Sequence, residues 1–177
     1  MIKTWNNLGE LFCELNETCE YIVIRNYEGI LKNSFDDSHN DIDFLCRDID
    51  KFITISGAKQ MKYNDKIHCV INVSGTNIRI DIRSVGDNYY DEKWENEMLT
   101  SRILYDELLY TMSPENYYYA ILYHEIYHKN ELKDDYVTTL IKLSEKLGIE
   151  FCKKTIKEDL DRYMKIKGYI ETGYRSK

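Results

Sequence analysis

The segment from Lys66 to Arg83 constrains the fold of this chain more than any other. Lys66-Ile-His-Cys-Val-Ile-Asn-Val73 and Asn77-Ile-Arg-Ile-Asp-Ile-Arg83 are two runs rich in β-branched residues, separated by Ser74-Gly75-Thr76. Such residues favour a pleated, half-buried surface, and the glycine-containing break predicts a hairpin. In the second run Ile78, Ile80 and Ile82 alternate with Arg79, Asp81 and Arg83. Successive side chains of a strand point to opposite faces. Three isoleucines therefore line one face, and an acid between two arginines lines the other. The isoleucines require a core to cover them.

Neighbouring segments supply one. The spacing of Leu8, Leu11, Phe12 and Leu15 predicts a helix over 7–18. Tyr21 to Arg25 reads as a buried strand, the polar stretch from Glu28 to Asn40 as a loop, and Asp41-Ile-Asp-Phe-Leu-Cys46 as a second strand. A short helix over 48–57 ends at Gly57. From Tyr89 onward the pattern is mostly helical. Ser113 is an N-cap with Pro114 at the first helical position, opening a helix to about Lys129. Helices near 134–147 and 151–166 follow, with Gly148 as the stop between them. Strands first and helices after is an α+β order. The expected architecture is a small mixed or antiparallel sheet with an N-terminal helix and a C-terminal helical bundle packed on it. One proline, eight glycines and no linker-like stretch predict a single domain over 1–177, with a sheet-containing part (1–112) and a helical part (113–177).

Charge and cysteine content narrow the functional classes. Net charge is −7; residues 133–177 hold 11 basic and 8 acidic groups, so the first 132 residues hold −10. An acidic body argues against an extended nucleic-acid-binding face. It suits a small anionic substrate when a cation lies between the two. No run of about 18 apolar residues is present, which excludes a spanning helix. The first residues lead to no apolar signal core before Glu10 and Glu14, so a cytoplasmic protein is expected. Five scattered cysteines without a C-x-x-C pair read as reduced thiols, three of them (Cys46, Cys69, Cys152) inside apolar stretches.

The chemistry-bearing pattern is a set of three aspartates. On a strand, Asp41 and Asp43 project to one side while Ile42 and Phe44 point to the other. Two carboxylates ~5 Å apart repel by roughly 3 kcal/mol at an effective dielectric of ~20. A cation, a proton or an arginine must offset that repulsion. Mg²⁺ takes carboxylate oxygens together with substrate phosphates, and Mn²⁺ suits the same oxygen donors. Asp41 and Asp43 as metal ligands, with Asp81 on the nucleophile side, would serve in-line nucleotidyl transfer. The plainer alternatives are a solvated acidic loop around D-x-D and cross-strand pairing of Arg79 and Arg83 with acids.

Tyr-Ile-Val-Ile-Arg-Asn-Tyr-Glu (21–28), His-Asn-Asp-Ile-Asp-Phe-Leu (39–45) and Asp-Ile-Arg-Ser-Val-Gly-Asp-Asn-Tyr-Tyr-Asp (81–91) carry a resemblance to a known group. Ser-Pro-Glu-Asn-Tyr-Tyr-Tyr followed by Leu-Tyr-His, within 113–124, extends it. Over about residues 20–140 the chain resembles nucleotidyltransferase-like domains of the polymerase-β-type superfamily, of the kind found with enzymes of cell-surface polysaccharide or teichoic-acid-type polymers. The resemblance implies that Asp41, Asp43 and Asp81 are the catalytic and metal-binding acids. It also implies a nucleoside triphosphate donor and a small-molecule, glycan-precursor or protein acceptor. The superfamily carries a Gly-Ser pair after its first strand; Arg25-Asn26 stands there in this chain. Arg25, Asn26 and Arg83 become the candidate nucleotide contacts, since a guanidinium fork matches a phosphate. The departure also leaves open a non-catalytic nucleotide- or ligand-binding module.

A second motif competes. His124-Glu125-Ile126-Tyr127-His128 spells H-E-x-x-H. On a helix it would bring two histidines to one Zn²⁺ with Glu125 as general base, as in a zinc metallopeptidase. Glu145 or Glu150 would be the third ligand. The plainer reading is a helix packed through Tyr117, Ile121, His124 and His128. Among sixteen tyrosines, Tyr89 and Tyr90, with Trp94, are candidates for a stacking wall, core packing being the alternative.

Overall fold

The computed structural model describes residues 3–30 and 41–175. They divide into two compact units, Met1–Val85 with Leu99–Thr111, and Gly86–Met98 with Met112–Lys177. Strands and helices are both present, as an α+β chain requires.

The first unit is built on one mixed eight-stranded sheet. Its elements begin with β1 (Thr4–Trp5), α1 (Leu8–Thr18), β2 (Tyr21–Val23), α2 (Tyr27–Ile30) and β3 (Asp41–Cys46). They continue with α3 (Ile49–Ser56), β4 (Lys59–Gln60), β5 (His68–Val73), β6 (Thr76–Ser84), β7 (Ile103–Tyr105) and β8 (Leu109–Thr111). The strand order is β1-β5-β6-β3-β2-β8-β7, with β4 paired to β5. β3 lies antiparallel to β2 and parallel to β6.

Local signals explain the elements. The Asn7 side chain caps α1 by accepting from the Glu10 amide, and Leu8, Leu11, Phe12 and Leu15 are buried as one stripe. Asp48 caps α3, and Gly57 ends it at φ +68°, where a β-carbon would meet Lys3 at 2.6 Å. Phe12, Tyr21, Phe44 and Phe52 meet within a core whose ring centroids lie 4.9–6.3 Å apart. Each such ring contributes roughly 1.5–3 kcal/mol on burial. The β5–β6 hairpin turns on two residues, Ser74 and Gly75, both at positive φ (50° and 81°), the turn geometry that matches strand twist.

Two expectations change here. The loop predicted from Glu28 begins as helix, because α2 takes Tyr27–Ile30; residues 31–40 lie outside the described residues. The stretch after Tyr89 is not all helical, since β7 and β8 form a second hairpin. Asp106 and Glu107 sit at positive φ (50° and 56°), which lets a turn without glycine join two three-residue strands. β8 then adds in parallel to β2, and the Thr111 hydroxyl donates to the Val23 carbonyl at 2.9 Å.

The second unit contains α4 (Glu92–Thr100, its last two residues in the first unit), α5 (Pro114–Tyr123), a π-helical turn (His124–Lys129), α6 (Asp134–Leu147) and α7 (Ile156–Lys167). The helix predicted to reach Lys129 thus changes its pitch at His124. Ser113 caps α5 and Gly148 ends α6 at φ +66°, as the sequence signals require. The core is aromatic. Trp94 stacks on Tyr169 (5.1 Å, 9°) and donates its indole N–H to Asn116 Oδ1 at 2.9 Å. Among the described residues no helix is long and apolar enough to cross a membrane.

Glu95 is fully buried in this unit and holds the turn before it, accepting from the amides of Gly86 (2.7 Å) and Tyr90 (3.0 Å). Burial, which outweighs those two amides, and the charges of Asp87 and Asp91 push its carboxyl up to about 7. The folded-state value is raised, so this stabilisation is complete below the unfolded pKa of ~4.3 and is lost as pH climbs toward about 7. Urea titrations should show stability falling by up to ~3 kcal/mol across that interval. Glu95→Gln should flatten that slope, and an unchanged slope would assign the pH dependence elsewhere.

Candidate metal centre

The centre is set by strand register. On β3, Asp41 and Asp43 share one face; on β6, Arg79, Asp81 and Arg83 share one. Parallel pairing sets Asp43 level with Asp81, and Asp41 level with Arg79. Neighbouring strands run ~4.8 Å apart, so carboxylates at paired positions must meet. Asp41, Asp43 and Asp81 each offer an oxygen within 4.8 Å of the others, and among the described residues no other group of three potential ligands does so. Asp41 is exposed, while Asp43 and Asp81 are half-buried.

The electrostatics follow from this crowding. Burial, then the charges of Asp43 and Asp41, raise the Asp81 carboxyl above the ordinary aspartate range; His68 and Arg83 pull it down. Asp43 has a counter-charge, since Arg25 Nη2 donates to its Oδ2 at 2.8 Å from a side chain only 8% exposed. Ile24 fixes this approach by donating its amide to the Asp43 carbonyl at 2.8 Å. Asn26 follows at φ +56°, turning the chain into α2. Arg83 is buried two residues beyond Asp81, level with Leu45. The donor set is three carboxylates with hard oxygens, close enough for one small divalent cation, and a cation would relieve the repulsion that raises Asp81. Mg²⁺ or Mn²⁺ fits such a set.

His68 was not singled out by the sequence reading. It lies on β5 level with Asp81, and its Nδ1 is bonded to Asp65 Oδ2 at 2.8 Å. With Met61, Lys62 and Arg79 it lines a cavity of about 270 Å³ that also takes in Asp41 and Asp81. The three-residue break expected from the sequence would have set His68 opposite Ile82; with only Ser74 and Gly75 in the turn, the register moves by one and His68 meets Asp81.

The zinc alternative at His124 and His128 is not favoured. Both histidines and Glu125 are buried in the π-helical turn. His128 Nε2 lies 2.9 Å from the Tyr89 carbonyl, which can only accept, so that nitrogen carries a hydrogen; its Nδ1 lies 3.2 Å from His124 Nδ1. Glu125 Oε2 accepts from the Lys133 amide at 2.8 Å. Glu145 and Glu150 are exposed and join no group of three potential ligands. The aromatic cluster follows core packing and not the stacking-wall alternative: Tyr89, Tyr90 and Trp94 are 5%, 1% and 0% exposed, leaving no open ring face for a base.

No protein-family model matches the chain, and no curated protein matches it. Among solved structures it is similar to the antibiotic-resistance factor ANT(2'')-Ia, determined in solution, with a TM-score of 0.47 and 11% identity. The alignment covers 90% of this chain and 92% of that one. A likeness this distant transfers no residue role.

The raised Asp81 carboxyl gives a test. In EDTA-treated protein, ¹³C NMR should show Asp81 titrating above the ordinary aspartate range, and Asp43→Asn should move it down. Because the folded-state value is raised, the stabilisation from the protonated form disappears as pH rises through it. Mg²⁺ should therefore raise the melting temperature more at pH 8 than at pH 4. An Asp81 that ignores Asp43→Asn would mean that the two carboxylates are not neighbours.

Proposed function

We propose that this chain is a divalent-metal-dependent nucleotidyltransferase that moves a nucleotidyl group from a nucleoside triphosphate to a small-molecule, glycan-precursor or protein acceptor. The observation that carries this reading is the convergence of Asp41, Asp43 and Asp81 from two adjacent parallel strands. A cation held there, Mg²⁺ or Mn²⁺, would supply Lewis-acid polarisation of the α-phosphate.

The chain's own residues then divide the work. Asp41, Asp43 and Asp81 would hold the cation, and Arg25 holds the Asp43 carboxylate in one orientation through its 2.8 Å bond. Arg25 and the turn at Asn26 lie on the β2 side of the acids, the side we assign to the donor; Arg83 adds positive charge behind Asp81. Asp81 stands on the acceptor side. The acceptor oxygen forms its bond to the α-phosphorus, the bond from that phosphorus to the pyrophosphate oxygen breaks, and the hydroxyl proton passes to Asp81. A carboxyl raised by burial accepts a proton more readily than an exposed one. The resemblance of the 21–28, 39–45 and 81–91 segments supports a setting in cell-surface polysaccharide synthesis, with the enzyme acting in the cytoplasm. A second reading, a nucleotide-binding module without turnover, draws on the commitment of Arg25 to Asp43 where the superfamily has Gly-Ser.

Thermal shift against ATP, GTP, CTP and UTP, each with Mg²⁺ or Mn²⁺, tests both. A nucleotide at ~100 times its Kd stabilises by ~2.7 kcal/mol, roughly 5–10 °C for a chain of this size. One nucleotide should produce such a shift in wild type with metal and none in Asp41→Asn. Pyrophosphate release would then mark the transferase, and a shift without release would mark the module. No shift with any nucleotide would remove both.

A further inference from the structure

The cavity beside the acids is lined by groups of both signs: Asp41 and Asp81, with Lys62, Arg79 and His68, and Met61 beside them. Lys62 and Arg79 are exposed, and neither forms an ion pair within the described residues. In a chain of net charge −7, two cations that share about 270 Å³ with two acids without closing on them leave room for a ligand.

The cationic groups are held in place by the sheet. Arg79 and Asp81 are two residues apart on β6, on the same face and therefore ~6.6 Å apart along the strand. Lys62 follows Met61, whose amide donates to the His68 carbonyl at 2.9 Å, so the turn after β4 is pinned to β5. Asp65 accepts from the amides of Ile67 and His68 as well as bonding His68 Nδ1, which leaves the imidazole Nε2 for the cavity. The β2 side of the acids, with Arg25, is the opposite flank of the same three strands. In-line transfer needs donor and acceptor on opposite sides of the phosphorus, and the sheet provides two such flanks.

We infer that the acceptor is a small hydroxyl compound bearing an anionic group, its hydroxyl at Asp81 and its anion held by Lys62 and Arg79. This rests on the transferase reading. The volume takes one small molecule and lies at the low end for ligand pockets. Lysine and arginine both recognise phosphate, arginine through two parallel N–H groups and lysine as a point charge. A phosphate monoester, with up to two negative charges, fits the Lys62–Arg79 pair better than a carboxylate, and a neutral or cationic acceptor does not fit it. Lys62 and Arg79 thus determine specificity, and His68 offers the acceptor a hydrogen-bonding nitrogen.

Calorimetric titration of the full chain in Mg²⁺, without nucleotide, tests this with three matched probes: glycerol 3-phosphate, glycerate and glycerol. Wild type should bind glycerol 3-phosphate at least ten-fold more tightly than glycerol, with glycerate between. The preference should vanish in Lys62→Ala/Arg79→Ala and persist in Asp41→Asn. The two cations are exposed, so the double variant should keep its circular-dichroism melting profile. Equal binding of the three probes, no binding of any, or a preference that survives the double variant would overturn the inference. So would a preference lost only in Asp41→Asn, which would put the anion on the metal. If nucleotides stabilise the chain but the probes bind alike, the acceptor class alone is wrong. If no nucleotide binds, the transferase reading fails separately.

Discussion

The parallel ladder between β3 and β6 is the constraint on which the candidate centre depends. It sets Asp43 level with Asp81, and the two-residue period of β3 puts Asp41 on the same face. Slipping that register by one residue would turn Ile80 or Ile82 toward Asp43 and carry Asp81 into the core. The isoleucines prevent the slip, because Ile80 and Ile82 are 1% and 0% exposed and belong to the apolar side. The apolar face therefore fixes the register, and the register gathers the acids. Stability and chemistry are written on alternate residues of the same strand.

Gathering three carboxylates has a cost, and the fold spreads it. Asp43 is offset by Arg25, Asp41 is exposed, and Asp81 holds its proton more tightly because it is buried beside the other two. An isolated buried ion pair is a poor source of stability, since desolvation consumes much of its attraction. Arg25 is better understood as an orienting group that fixes one oxygen of Asp43 and turns the other toward the cluster. The arrangement is left with a deficit of positive charge that a divalent cation would fill.

Much of this was legible in the sequence where the signal is local. The alternation in 77–83, the D-x-D strand, the cap at Ser113, and the stops at Gly57 and Gly148 all depend on a few consecutive residues. What could not be read depends on pairing across distance. Nothing in 41–46 says that β6 lies beside it in parallel, or that Arg25 reaches Asp43. β7 and β8 were missed because each has three residues and their turn lacks glycine. His68 is intermediate: the hairpin was legible, but its turn is two residues and not the expected three, and that one-residue difference decides that His68 meets Asp81. The H-E-x-x-H string shows how little spacing alone decides, and the plainer reading of packed histidines holds. Its spacing suits zinc on an ideal α-helix, but a π-helical turn and a neighbouring carbonyl use the ring nitrogens for packing.

The central claim is that the three aspartates hold a cation, and it can be tested without knowing donor or acceptor. Crystals soaked in Mn²⁺ would be measured for anomalous scattering, wild type beside Asp43→Asn. The account predicts one or two peaks at ordinary Mn–O distances, ~2.1–2.2 Å, from oxygens of Asp41, Asp43 and Asp81, lost or displaced in the variant. Peaks confined to other surface carboxylates, or to His124 and His128, would contradict it.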